Sequence, residues 1–192
     1  SHAKALSFHA MPTQVRAAAL TNFFEVIRER GVNPLPLLRK VGLSRALLED
    51  PDQRIPAESV VRLLELAAEA CEDEHFGLRM AQTRQLADFG MVSLLISHQP
   101  TLRDALETTI AYRHLINDSL ALKVEDAGNS VILREEVISG LPARQANELA
   151  MGVLMRLCSA VLGNSWRPAS VNFTHSAPRD ASLHKRFFRC TV

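Results

Sequence analysis

One stretch, residues 143–162 (ARQANELAMGVLMRLCSAVL), limits what the rest of the chain can do. Its spacing predicts a helix that is apolar almost all round after Met151, so it has no broad side to offer to water. Such a helix belongs at the centre, with other elements packed around it. A thin polar stripe of Gln145, Glu148, Gly152, Arg156 and Ser159 runs along the cylinder at three- and four-residue spacing. The stripe suits either the wall of a polar cavity or a face turned to solvent, and polar helix faces more often meet solvent.

The remaining segments read as short elements separated by proline and glycine. Residues 13–31 predict a helix with Val15, Ala18, Ala19, Phe23, Val26 and Ile27 on one face and Gly31 at its end. PLPLLRKVG and SRALLEDP read as two short helices, the second opened by Ser44 and stopped before Pro51. IPAESVVRLLELAAEACED carries a long apolar stripe through Val60, Leu63, Leu64, Ala67 and Cys71, and HFGLRMAQTRQ and GMVSLLISHQ read as shorter helices. Thr101 and Asp104 resemble an acidic capping box at the start of the next helix.

The period changes to two near Leu120. LALKVEDAGNSVILREEV alternates through Leu120, Leu122, Val124, Val131 and Leu133 around a turn at residues 126–129, which predicts a β-hairpin. Residues 170–174 read as another strand, and FFRCTV as the middle of a further one. The expected fold class is α+β, predominantly helical. A helical part at residues 13–119 packs on a smaller α+β part at residues 120–192, and residues 1–12 read as a disordered leader or tag remnant.

Composition narrows the function. A chain of 192 residues with 47% hydrophobic content can bury a sizeable core. A net charge of +1 gives no general attraction to nucleic acid or anionic membrane, and no apolar run reaches membrane-spanning length. Cys71, Cys158 and Cys190 lie far apart and fit a reducing cytoplasm. His9, His75, His98, His114, His175 and His184 show no paired metal-ligand spacing, so neither a metal nor a cofactor is expected. A nucleophile elbow, a phosphate-binding glycine loop and a dinucleotide fingerprint are all lacking, so catalysis is not expected. LLRKVGLSRALLED has the layout of a helix-turn-helix, but its second helix is too short for recognition and would turn Glu49 and Asp50 toward phosphate. The basic run HKRFFR reads as a charged strand or loop edge.

The candidate site comes from an arginine in an unexpected place. If the helix beginning at Leu102 continues through IAYRHLIND, Arg113 falls at the centre of its apolar sector beside Asn117. A guanidinium stays charged inside a protein and must be answered by an internal acid or by a ligand. Glu125, Glu136 and Glu148 are the candidate acids. The alternative is a pocket in which Arg113, Asn117 and Tyr112 bind a carboxylate or a polyol, joined by Arg134 or Glu136 from the hairpin and Arg156 from the central helix. Strand alternation places Arg134 and Glu136 opposite Val131 and Leu133, which counts against both.

The order of several motifs resembles a known family. GVNPLPLLRKVGL, RIPAESVVRLLELAAE, FGLRMA, FGMVSLLISHQPTLRDALETTIAYRHLIND, WRPASVNFTHSAP and FFRC follow the series found in the arabinose-binding-like sensor domain of AraC-type bacterial transcription regulators. The resemblance implies a cytoplasmic, dimeric sensor that binds a small-molecule effector and relays its occupancy to a separate helix-turn-helix domain. Relatives of this kind respond to varied effectors, and the chemistry of Arg113, Asn117 and Tyr112 suits an amino acid, a carboxylate or a polyol. The family's paired helix-turn-helix units have no counterpart in this sequence, so DNA contact is expected only through a domain outside it. A purely structural dimerisation module is the alternative.

Overall fold

A computed structural model describes residues 12–192. The expectation for a leader therefore lies almost wholly outside the described residues. Strand β1 (Gln14–Arg16) pairs antiparallel with β2 (Arg54–Pro56), and the helices α1 (Phe23–Glu29) and α2 (Pro34–Lys40) fall between them. Then come α3 (Ala57–Ala70), α4 (Phe76–Ala81), α5 (Val92–Ser97) and α6 (Leu102–Ala111). The hairpin β3 (Leu120–Ala127) and β4 (Ser130–Val137), the long α7 (Arg144–Leu162) and a short α8 (Ser182–Phe188) complete the order. The fold is α+β and predominantly helical, as expected.

Helix α7 is the central element. Its Ala146 and Leu149 join Phe23, Ile27, Ile55, Leu63, Leu64, Phe76 and Met80 in the largest apolar cluster. Leu154, Leu157 and Cys158 join Val92, Ile96, Ala105 and Leu106 in a second cluster beneath Leu122, Val124 and Leu133 of the hairpin. Met155 joins Leu78, Val171, Leu183 and Phe188 in a third. Two glycines let α4 and α7 come this close. A Cβ on Gly77 would lie 2.1 Å from the Gln145 carbonyl oxygen, and one on Gly152 would lie 2.5 Å from the Ala81 methyl.

Three segments differ from expectation. Residues 13–31 do not form one helix: β1 and a 3-10 turn at Ala17–Leu20 precede α1, and Asn22 adopts a left-handed conformation between them. The cause is non-local. The Ala17 and Ala18 N–H groups donate to Gln53 and Pro51, and the Thr13 carbonyl accepts from Ala57, so the backbone is committed to the residues around β2. Residues 170–174 and FFRCTV form no strand beyond a single parallel bridge between Ser170 and Thr191. HKRFFR instead lies mostly in α8, where Leu183, His184 and Phe188 are buried at helical spacing.

The third difference concerns Arg113. Helix α6 is capped by Thr101, whose hydroxyl oxygen accepts from the Asp104 N–H, as the capping pattern predicts. It ends at Ala111, before Arg113, which lies in a 3-10 turn at Arg113–Leu115 and is exposed. Arg113 therefore does not occupy the apolar face of a helix.

Replacing Gly77 by Ala should destabilise the protein by about 1–3 kcal/mol, the usual cost of forcing volume into a packed contact. Helix propensity alone would favour alanine by about 1 kcal/mol. Urea unfolding of Gly77→Ala checks the sign, and a gain in stability would contradict the close packing of α4 on α7.

Candidate functional site

The first turns of α7 bury an ionisable cluster. Glu148 is 0% exposed, and its carboxylate is approached from several segments. His184 of α8, also 0% exposed, sets Nε2 3.0 Å from Oε2. His175, in the loop before α8, sets Nε2 3.3 Å from Oε1, and the Arg144 Nε one turn back on α7 is 3.5 Å from the same oxygen. His75, which precedes α4, packs edge-on against the His184 ring with centroids 5.2 Å apart. His75, Glu148 and His184 each offer a potential ligand atom within 4.8 Å of the other two.

Polar contacts around the cluster fix these segments. Gln145 donates its backbone N–H to Glu65 Oε1 at 2.8 Å and its side-chain amide to the Glu74 carbonyl at 3.0 Å, while its side-chain oxygen accepts from the Gly77 N–H at 2.8 Å. Asp73 accepts the His75 backbone N–H and ion-pairs with Arg30 and Arg79, which fixes the turn before α4. Glu74 accepts the Arg179 N–H and so ties the segment leading into α8. Phe173 stacks on His175 at 5.0 Å and meets His184 edge-on at 5.9 Å. Burial raises the Glu65 carboxyl above its ordinary range, opposed by the Gln145 N–H and Arg144.

The cluster is well enclosed but incompletely satisfied. His75 Nδ1, His184 Nδ1, His175 Nε2, Glu148 Oε1 and the Arg144 Nε and Nη2 are buried without a hydrogen-bond partner among the described residues. Buried polar atoms in a native fold are usually paired, so a concentration of orphans marks a place where a further group can bind.

The six residues singled out from the sequence do not converge here. Tyr112, Arg113 and Asn117 sit together on the connector between α6 and β3. Tyr112 stacks on His114, Arg113 reaches the Leu120 carbonyl at 3.4 Å, and Asn117 accepts from the Ser119 N–H and hydroxyl. Arg134 and Glu136 are exposed on the outer face of the hairpin, and Arg134 pairs with Glu125 at 2.9 Å. Arg156 is exposed and donates to the Arg84 carbonyl at 3.0 Å. No hydrogen bond or ion pair among the described residues joins any of the six to Glu148. Two grooves flank α1, of about 360 and 330 Å³, the larger crossed by Arg45 over the Phe24 ring, and neither is lined by these six residues.

The polar stripe of α7 splits in two. Gln145, Glu148 and Gly152 are buried against α4 and the α8 segment, while Arg156 is exposed. Metal-ligand spacing along the chain could not reveal the cluster, because the fold assembles it from residues 75, 148, 175 and 184. A second inward acid, Glu135, lies between the exposed Arg134 and Glu136. Its Oε2 is buried without a partner, and burial pushes its pKa up to about 8. Burial first, and then the Glu135 charge, push the Cys158 thiol up to about 12.

Comparison with known proteins shows the family. The chain belongs to the family described as the arabinose-binding domain of AraC transcription regulators, N-terminal, whose model matches residues 31–192. It is also 28% identical over 182 residues, 93% of its length, to the HTH-type transcriptional regulator VirS of two strains of Mycobacterium tuberculosis. The chain spans about half, 54%, of the length of those relatives. Family and relatives are transcription regulators. No described helix is long and apolar enough to cross a membrane.

Two outcomes follow from the buried acids. The Glu135 carboxyl, ordinarily near 4.5, holds its proton up to about 8 in the folded chain, so stability should fall as pH rises across that window. Glu135→Gln should therefore stabilise the protein at pH 8.5, with the advantage shrinking toward pH 5; equal melting at both pH values would contradict a buried, unpartnered carboxyl. Glu148→Leu should cost about 3–5 kcal/mol in urea unfolding, because it strands the Arg144 guanidinium and the imidazoles around it. A loss below about 1 kcal/mol would put Glu148 in the class of exposed ion pairs.

Proposed function

We propose that this chain is the effector-sensing part of an AraC-type regulator: it binds a small polar molecule and relays its occupancy to a separate helix-turn-helix DNA-binding domain. The family assignment and the greater length of the relatives support the division of labour. The observation that carries the sensing role is the set of orphaned polar atoms around Glu148. Arg144 and the imidazoles of His75, His175 and His184 keep buried nitrogens without a hydrogen-bond partner among the described residues, a chemistry suited to an amino acid or another small carboxylate.

The cluster also suits a relay. It joins the turn before α4, the start of α7 and the segment into α8, so a ligand that pairs its free atoms favours one arrangement of these segments over others. The reading places the protein in the bacterial cytoplasm, where such regulators meet DNA. A second reading, a dimerisation module, is favoured by one feature: Met91 and Leu94, at and along α5, are 86% and 64% exposed, with Leu95 beside them. The two readings are compatible in a dimeric sensor. Leu94→Glu should lower the self-association constant of the chain in sedimentation equilibrium, and an unchanged constant would remove α5 from any dimer contact.

A thermal-shift screen against amino acids, polyamines, sugars and small carboxylates tests the sensing role. A true effector at a hundred times its Kd should add roughly 2.7 kcal/mol of stability. Arg144→Met should abolish that shift while Arg113→Met leaves it intact. The opposite pattern would move the site to the connector after α6. A folded chain that responds to no compound in the panel would contradict the sensing role.

A further inference from the structure

We propose that His75, Glu148 and His184 form a binding site for a divalent transition-metal ion of the zinc class. Three observations carry the proposal independently of any organic effector.

The first is geometry. One ligand atom from each residue lies within 4.8 Å of the other two. Around a single ion with bonds of about 2.0–2.2 Å, ligand atoms stand roughly 3–4 Å apart, so small side-chain adjustments close the site. The donor set is the second observation. Two imidazoles and one carboxylate match the preference of zinc and its neighbours, whereas calcium and magnesium select oxygen donors.

The third is the state of the donors. Glu148 has one carboxylate oxygen without a hydrogen-bond partner, and both buried imidazoles have an Nδ1 without one. Oε1 meets only the longer ion pairs to His175 and Arg144, and the two Nδ1 atoms have no polar partner among the described residues. A metal ion would take one lone pair from each of the three residues, whichever ring nitrogen faces it. The segments are held in place around the three residues: Asp73 fixes the backbone at His75, and Phe173 packs against His175 and His184.

His175, 3.3 Å from Glu148 Oε1, is the nearest side chain to complete a fourth position. Arg144 balances the Glu148 charge when no ion is bound, and Glu65, close enough to feel both, contributes a second negative charge toward a bound dication. A bound ion would fasten the turn before α4 and the start of α8 to α7. Because the ligands must be unprotonated, its affinity should weaken in acid.

The test is zinc binding by the chelator-treated chain, read by isothermal calorimetry and thermal melting, with magnesium as the control. The expected result is one zinc per chain, a raised Tm, no response to magnesium, and at least a tenfold loss of affinity in His184→Asn and Glu148→Gln. His98→Asn and His114→Asn, on the surface, should bind as the parent does. Cobalt(II) added to the unaltered chain guards against variants that fail to fold: intense visible bands of a four- or five-coordinate site are expected. Zinc binding that survives unchanged in both folded variants, no zinc binding by the parent, or only the pale cobalt spectrum of the aqua ion would each overturn the proposal. Stabilisation by an organic effector without any zinc response would overturn this site and leave the sensing role standing. Zinc binding with no organic effector found would do the reverse.

Discussion

A carboxylate with no exposure to water, in the first turns of the central helix, is the constraint on which the rest of this structure depends. Burying Glu148 unpaired would cost more than the fold could offset, so the chain must bring cations or hydrogen-bond donors to it. It does so with Arg144 on the same helix and with histidines from two distant segments. The packing that permits this is equally specific. Gly77 lets α4 approach the Gln145 backbone, and Gly152 makes room for Ala81 about two turns further along the same face of α7. The polar cluster and the glycine contacts thus fix the same pair of helices by different means.

This arrangement gives the protein a place where small changes have large effects. Apolar clusters around α7 resist gradual deformation because they are closely packed. The Glu148 cluster is different: its partners come from separate segments, and several of its donors are unfilled. In the proposed sensing role, a ligand that fills them would favour one arrangement of α4, α7 and α8 over others. Glu135 is a contrasting case. Among the described residues its buried Oε2 has no hydrogen-bond partner, and burial keeps the carboxyl neutral up to about 8, so it should tune stability with pH without organising its neighbours.

Much of the fold was legible because local period suffices where an element is long. The apolar stripe of α3, the girth of α7 and the alternation of the hairpin each identified their element, and the hairpin register set Arg134 and Glu136 outward as alternation requires. Residues 13–20 were misread because their backbone partners lie near residues 51–57, and no local pattern records that pairing. The supposed apolar setting of Arg113 depended on α6 running one turn further than it does. The chain instead turns where the Arg113 carbonyl accepts from Ile116 and Asn117. None of the six residues singled out belongs to the cluster; of its members only Glu148 was legible, as part of a polar stripe that more often meets solvent and as a candidate acid for Arg113. Its partners were not, since His184 was masked by the charge of HKRFFR and His75 and His175 had no spacing to betray them.

In the proposed metal site, His75 and His184 beside Glu148 are the imidazoles that bind zinc. Long-range proton–nitrogen correlation spectra of the histidine side chains, recorded while zinc is added to one equivalent, test it directly. The ring nitrogens of His75 and His184 should shift first and saturate at one equivalent, with the exposed His98 and His114 unmoved. Shifts that begin at His98 or His114, with His75 and His184 unchanged, would contradict it.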